Sequence, residues 1–254
     1  MNAERPAPPR VPGAYGWRAK MGVIVPPTNT VNEAEWQLMA PHGVTVHAAR
    51  MALHTDSDSA AGKRALYKDV RQATEDLAQA QVDVIAYGCT AGSMVLPITE
   101  LSDFMETVSG AACVTTAASI VRALEALEVS AIALATPYHA ALNRHEVRFF
   151  EQMSIATVHE QGLGIGAGGG HEYIRIAQTP LEKIHAHVRA ADRPEAQALV
   201  ISCTDFPVMG LIGRLEKELG KPVVSSNQAT FWAALRAVGI EDRFDDYGTL
   251  LREF

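Results

Sequence analysis

Ala86-Tyr87-Gly88-Cys89-Thr90-Ala91-Gly92-Ser93 and Val200-Ile201-Ser202-Cys203-Thr204-Asp205 are two stretches that echo each other. Each follows an apolar, strand-like run, Val82 to Ala86 in the first and Ala198 to Ile201 in the second. Each places a cysteine at the end of that run, then a threonine, then the expected start of a helix. The chain between them repeats a strand–helix pattern. Two similar half-domains are implied, each delivering one thiol to a shared cleft.

Outward from the first stretch, Met21 to Val25 reads as a strand that feeds the loop Pro26-Pro27-Thr28-Asn29-Thr30. Asn32 to Ala40 reads as a helix with Trp36 and Met39 inward, and Val44 to Arg50 alternates like a second strand. Residues 61 to 80 suit a long amphipathic helix, with Leu66, Val70, Ala73, Leu77 and Ala80 at helical spacing. A helix from Pro97 to Val108 and a strand from Ala112 to Thr116 complete the first set.

The order then restarts. A helix from Ala117 to Leu127 links the halves, and a strand from Val129 to Ala135 ends in the loop Thr136-Pro137-Tyr138. A helix (His139 to Met153), a strand (Ile155 to His159) and a glycine-rich loop (Gly162 to Gly170) follow. Thr179-Pro180 opens a further helix, proline being favourable in a first turn. The strand ending at Cys203, a helix from Met209 to Leu219, a strand from Pro222 to Ser225 and a helix from Asn227 to Val238 close the pattern. The tail to Phe254 is expected to pack back on the first half.

Strands alternating with helices of this length imply parallel sheets with right-handed crossovers. The expected fold is α/β: two pseudo-twofold-related halves, each a roughly four-stranded parallel sheet flanked by helices, with the site between them. Residues 1–20 read as an irregular arm, its end pinned by Tyr15 and Trp17; 21–117 with 227–254 form the first half-domain and 118–226 the second. In open parallel sheets ligands sit beyond the carboxyl ends of the strands. The loops leaving those ends hold Asn29, Cys89, Tyr138, Cys203 and Asn227.

The 29 acidic residues against 22 basic ones argue against nucleic acid as a partner, because phosphate binding wants a basic surface. Three cysteines in 254 residues make no disulfide framework, and no Cys/His cluster has zinc-ligand spacing. The proline-rich start lacks the apolar stretch of a signal peptide, and nothing approaches membrane-spanning length. A reducing cytoplasm with free thiols is the expectation, and no metal is expected.

Cys113, inside a strand between Ala112 and Val114, reads as small apolar filler. Cys89 and Cys203 sit instead at strand-to-helix junctions, where unpaired amides and the helix dipole favour an anion. Such a place is expected to lower a thiol pKa from about 8.5. Two facing thiols suit paired acid–base or nucleophile–acid work without a cofactor. The amides of Thr90 and Ala91, and of Thr204 and Asp205, can cradle a carboxylate. Asn29 and Tyr138 add side-chain donors, their alternatives being a turn residue and a packed aromatic; Asp205 could instead cap the following helix.

Gly164 to Gly169 matches GxGxxG, but it follows the second strand of its half and opens no clear helix, so a loop that closes over substrate is the better reading. His171 at its end could reach the site or remain exposed. His185 and His187, two apart on a helix, are a poor metal pair.

Paired Cys-Thr segments, one per half, resemble the aspartate/glutamate racemase superfamily. The finer resemblance is to maleate cis–trans isomerases and their relatives, the arylmalonate decarboxylases. It rests on Val25-Pro26-Pro27-Thr28-Asn29-Thr30, Tyr87-Gly88-Cys89-Thr90, Ala135-Thr136-Pro137-Tyr138, Ser202-Cys203-Thr204 and Ser226-Asn227-Gln228-Ala229, and covers roughly residues 20 to 240. The resemblance implies a cofactor-independent enzyme on a small dicarboxylate, commonly a homodimer or higher homo-oligomer. It implies Cys89 as nucleophile on an alkene, bond rotation in the adduct, and elimination, with Cys203 as acid and base. Asn29 with the amides of Thr90 and Ala91 would hold one carboxylate; Tyr138 with the amides of Thr204 and Asp205 would hold the other.

The isomerases carry a carboxylate-gripping asparagine in the loop after the second strand of the second half. Here that loop reads Gly164-Ile165-Gly166-Ala167-Gly168-Gly169-Gly170-His171 and contains none. The chemistry is thus expected to carry over better than the substrate: the expected activity is cis–trans isomerisation of a maleate-like ene-dicarboxylate, with a bulkier or differently substituted ene-dicarboxylate or another acid left open. A two-cysteine racemase, an arylmalonate-type decarboxylase and a binding protein on a dead site stay as alternatives. The decarboxylases keep only the second-half cysteine, and the racemases typically have Asp-Ser where Asn29-Thr30 stands.

Overall fold

A computed structural model describes residues 13–54 and 59–254. β1 (Ala19–Val25), β2 (Val44–Arg50), β3 (Val84–Tyr87) and β4 (Ala112–Thr115) form one sheet in the order β2-β1-β3-β4. β5 (Ala131–Tyr138), β6 (Ala156–Ile165), β7 (Ala198–Ile201) and β8 (Val223–Ser225) form a second in the order β6-β5-β7-β8. Every pairing is parallel, and the two sheets repeat one topology. The central strands are buried from end to end, as parallel strands covered on both faces must be.

The helices are α1 (Asn32–Met39), α2 (Ala60–Gln79), α3 (Glu100–Ser109), α4 (Thr116–Ala126), α5 (Ala140–Gln152), the single turn α6 (Ile174–Ala177), α7 (Leu181–Ala191), α8 (Ile212–Leu219), α9 (Ser226–Ala237) and α10 (Gly248–Glu253). α4 and α9 follow the last strand of each sheet and pack against each other. Both start on a hydroxyl cap. Thr115 Oγ1 accepts from the Ala118 amide, and Ser225 and Gln228 form a reciprocal capping box. Their facing side chains, among them Ile120 and Leu124 on α4 and Phe231 and Leu235 on α9, are fully buried in a core that runs through both sheets. A second, smaller core under α2 and α3 covers the other face of the first sheet.

Three stretches differ from expectation. Thr136-Pro137-Tyr138 is the end of β5, not a loop. Pro137 falls where the register with β6 slips, beyond the last β7 pair at Ala135, so its missing N–H removes no ladder bond. β6 runs on through Gly162 to Ile165. A Cβ on Gly162 would lie 2.2 Å from the Tyr138 carbonyl oxygen and 2.5 Å from Asn143 Nδ2, so this glycine serves close packing within the sheet. Pro180 is the cap residue of α7 and precedes its first turn.

Of the expected N-terminal arm, residues 1–12 lie outside the described residues. Trp17 packs over Gly43 and against the His42 ring, whereas Tyr15 is 82 % exposed and pins nothing. The tail reaches the first half through the Arg18–Asp242 pair and the bond from the Tyr247 hydroxyl to the Leu38 carbonyl, while α10 itself lies on α8, β8 and α9. Among the described residues no helix is long and apolar enough to cross a membrane.

Candidate active site

The carboxyl ends of β1, β3, β5 and β7 converge on a cavity of about 400 Å³. Asn29, Cys89, Thr90, Ala91, Tyr138, Cys203, Thr204 and Asp205 all line it. Its outer wall comes from Leu53 and His54 after β2, from His139, Leu142, His145 and Arg148 along α5, and from Tyr173 and Ile176. His171 is exposed and does not line it. Among the described residues no group of three or more His, Cys, Asp or Glu is placed to hold a metal.

The loops that carry the site are bonded to one another across the halves. Asn29 Nδ2 donates to Thr204 Oγ1 at 3.0 Å, and Thr204 Oγ1 donates to the Gly88 carbonyl at 3.0 Å. The Cys203 amide donates to Ser226 Oγ, which pairs in turn with Thr90 Oγ1 at 2.9 Å. Glu35, buried on α1, accepts from the Val208 and Met209 amides and from Asn227 Nδ2. Asn227 also donates to the Thr204 carbonyl, so it braces the second cysteine loop and does not reach the cavity.

Asn29 combines both roles weighed for it. Its Oδ1 accepts from the Val31 and Asn32 amides, which fixes the entry to α1, while the residue lines the cavity. Asp205 does not cap the following helix, because the next helical turn begins only at Met209. Its carboxylate accepts from the Thr30 amide at 2.8 Å, and its own amide points at Cys203 Sγ, 3.3 Å away. Burial lifts the Asp205 carboxyl to about 6.

The expected depression of the thiol pKa values does not occur. Cys89 is followed by a single 3-10 turn and Cys203 by an irregular loop, so neither thiol faces the end of a real helix. Burial instead pushes both thiols up. At Cys89 the Gly92 amide and the Tyr87 hydroxyl oppose that rise. At Cys203 the Asp205 charge adds to the rise, and the Tyr138 hydroxyl and the Asp205 amide only partly offset it. Cys89 keeps some exposure, whereas Cys203 is buried. Cys203 also holds φ +127°, a strained value for any residue but glycine.

Each thiol thus has its own tyrosine. Tyr138 was expected; Tyr87 stood in a quoted motif with no role of its own. The signal was present, since Tyr87 and Cys89 are two apart at a strand end and fall on one face. A Cβ on Gly92 would sit 2.9 Å from the Tyr87 hydroxyl and 3.0 Å from Cys89 Sγ, which shows how closely the two crowd that backbone.

Glu146 was also missed. It sits on the inner face of α5, 0 % exposed, and neither carboxylate oxygen has a well-aligned partner; the Ser202 hydroxyl lies beside it, equally unpaired. Burial lifts it to about 8. Its charge, when present, raises Cys89, Cys203 and Tyr138. The sequence gave a helix over His139 to Met153 but no hint that this acid lies within electrostatic reach of both thiols.

Comparison with known proteins gives the family and the fold. The family model for arylmalonate decarboxylase matches residues 21–251. A maleate isomerase of Nocardia farcinica is 28 % identical over 247 residues, covering 92 % of this chain and 96 % of that one. An arylmalonate decarboxylase of Bordetella bronchiseptica is 32 % identical over 136 residues, 53 % of this chain and 55 % of that one. The solved structure of a Nocardia farcinica maleate cis–trans isomerase mutant with a covalently bound succinylcysteine intermediate superposes with a TM-score of 0.77 at 25 % identity, covering 93 % of this chain and 99 % of that one.

Proposed function

The chain belongs to the arylmalonate decarboxylase family, and from that premise we propose that it is a cysteine-dependent cis–trans isomerase of a maleate-type ene-dicarboxylate. The observation that carries this is the pair of thiols, one from each sheet, opening onto one cavity beside Tyr138. The maleate isomerase likeness over nearly the whole chain supports it.

Cys89 is the nucleophile: it is the more accessible thiol, and the Gly92 amide and the Tyr87 hydroxyl oppose the rise that burial imposes on it. Its thiolate adds to one alkene carbon, forming a C–S bond, and the π pair moves to the neighbouring carbon, which takes the proton of Cys203. The former double bond is now single and rotates. The Cys203 thiolate removes the proton again, the π bond re-forms in the trans geometry, and the C–S bond breaks to return the pair to Cys89. No cofactor enters this cycle. Asn29 with the Thr90 and Ala91 amides holds one carboxylate, and Tyr138 with the Thr204 amide holds the other; the Asp205 amide supports the Cys203 thiolate. Free thiols fit a reducing cytoplasm, and a homodimer is what the family resemblance implies.

Proton NMR of the protein with maleate is the direct test: fumarate should appear, and Cys89→Ala should abolish it. Cys203→Ala should stall after addition and gain the mass of one substrate in intact-protein mass spectrometry. Loss of carbon dioxide from an arylmalonate with no isomerisation of any ene-diacid would instead favour the decarboxylase alternative.

A further inference from the structure

Glu146 takes no part in the addition and elimination, yet it lies beside them. α5 packs against β5, β6 and the turn Ala91–Ser93 that follows Cys89. Tyr138 on β5, Cys89 ahead of that turn and Cys203 beyond β7 all lie within reach of its charge. Glu160 on β6 is engaged one turn back, where it accepts from Asn143 Nδ2. On α5 itself Arg144 and Arg148 are exposed, and His145 is half-buried on the cavity wall. Among the described residues no cation offsets the burial of Glu146, which is 0 % exposed with neither oxygen well partnered.

A negative charge is better supported on the Cys89 sulfur than on this carboxylate. At Cys89 the Gly92 amide and the Tyr87 hydroxyl stand as donors. At Glu146 only the Ser202 hydroxyl lies beside the oxygens, poorly aligned. Between buried acids a second like charge is costly, so the two titrate as a pair and not one by one. Burial holds the Glu146 proton up to about 8 and raises Cys89 from its ordinary value as well, so near neutral pH the pair carries at most one charge.

We propose that Glu146 and Cys89 share a single negative charge, and that Cys89 attacks only in the form in which Glu146 is neutral. Glu146 is then a positioning residue that acts through the thiol and does not touch substrate. As the pair passes from resting carboxylate to reactive thiolate, the S–H bond of Cys89 breaks and the O–H bond of Glu146 forms; a proton changes place and no electron is transferred. This rests on the isomerase assignment for the same site.

The test is the pH dependence of kcat/KM for maleate, from pH 7 to pH 9, in the wild type, Glu146→Gln and Glu146→Leu. Wild-type kcat/KM should level off above about pH 8, because the carboxylate then takes the charge from the thiolate. In both variants it should go on climbing with Cys89 alone, so that the ratio of variant to wild type rises about tenfold from pH 7 to pH 9. A side chain that only packs would move the whole profile and leave its shape alone. A folded variant whose profile runs parallel to that of the wild type therefore overturns the shared charge and leaves the isomerase assignment standing. Fumarate formed by none of the three overturns the isomerase assignment. The rate of iodoacetamide alkylation mapped to Cys89 over the same pH range then decides the shared charge: diverging rates uphold it and parallel rates overturn it.

Discussion

Asn29 and Thr204 are hydrogen-bonded at 3.0 Å across 175 positions of sequence, one from each sheet. The same asparagine caps the Val31 and Asn32 amides. Asn29→Ala therefore removes a bond between the halves, two local bonds and a cavity donor at once. It should cost about 2 kcal/mol of stability, read as a lowered denaturant midpoint at unchanged slope. Its kcat/KM should fall about a hundredfold, more than the stability loss explains.

Tyr87→Phe tests the tyrosine to which the sequence assigned no role. The hydroxyl opposes the burial that raises Cys89. Without it the thiol should titrate higher, and the pH profile of Cys89 alkylation should move upward. Turnover near neutral pH should drop about tenfold. An unchanged alkylation profile would make Tyr87 a packing residue only.

Glu146 sets the expected pH response. Its carboxyl is lifted from 4.5 to about 8, so between those values the folded state holds a proton that the unfolded state has released. Stability from this group is full below about 4.5, declines as pH rises toward 8, and is gone above it. Glu146→Gln should flatten that decline and raise the melting temperature at pH 9. It should also shift alkylation of Cys89 to lower pH, because the carboxylate charge that opposes the thiolate is removed.

Gly162→Ala should destabilise strongly, by about 3 kcal/mol, since the new methyl meets the Tyr138 carbonyl oxygen at 2.2 Å. Gly164→Ala, two residues on with open space around it, is the control; its φ of +80° gives it only a backbone cost of about 1 kcal/mol. Thermal melting of the two variants side by side decides this.

The doubled fold was legible because each half writes its strands as short apolar runs ending in the same Cys-Thr step. The cavity residues were legible for a related reason: in parallel sheets all such ends point one way. What escaped was set by partners distant in sequence. Pro137 and Gly162 look like loop residues until the register slip in β5 and the close packing under β6 are known. The thiol pKa values went the wrong way because sequence shows where a helix might begin but not how completely a strand end is buried. Glu35 looks like an ordinary helix-surface acid, yet it closes the two amides ahead of α8.

The backbone of Cys203, at φ +127°, would be relaxed by glycine. The sturdiest occupant of that position is thus one that cannot carry a proton at all. Drift toward a tougher chain and drift toward a dead one would begin with the same single codon change, and only selection for turnover keeps the sulfur in place.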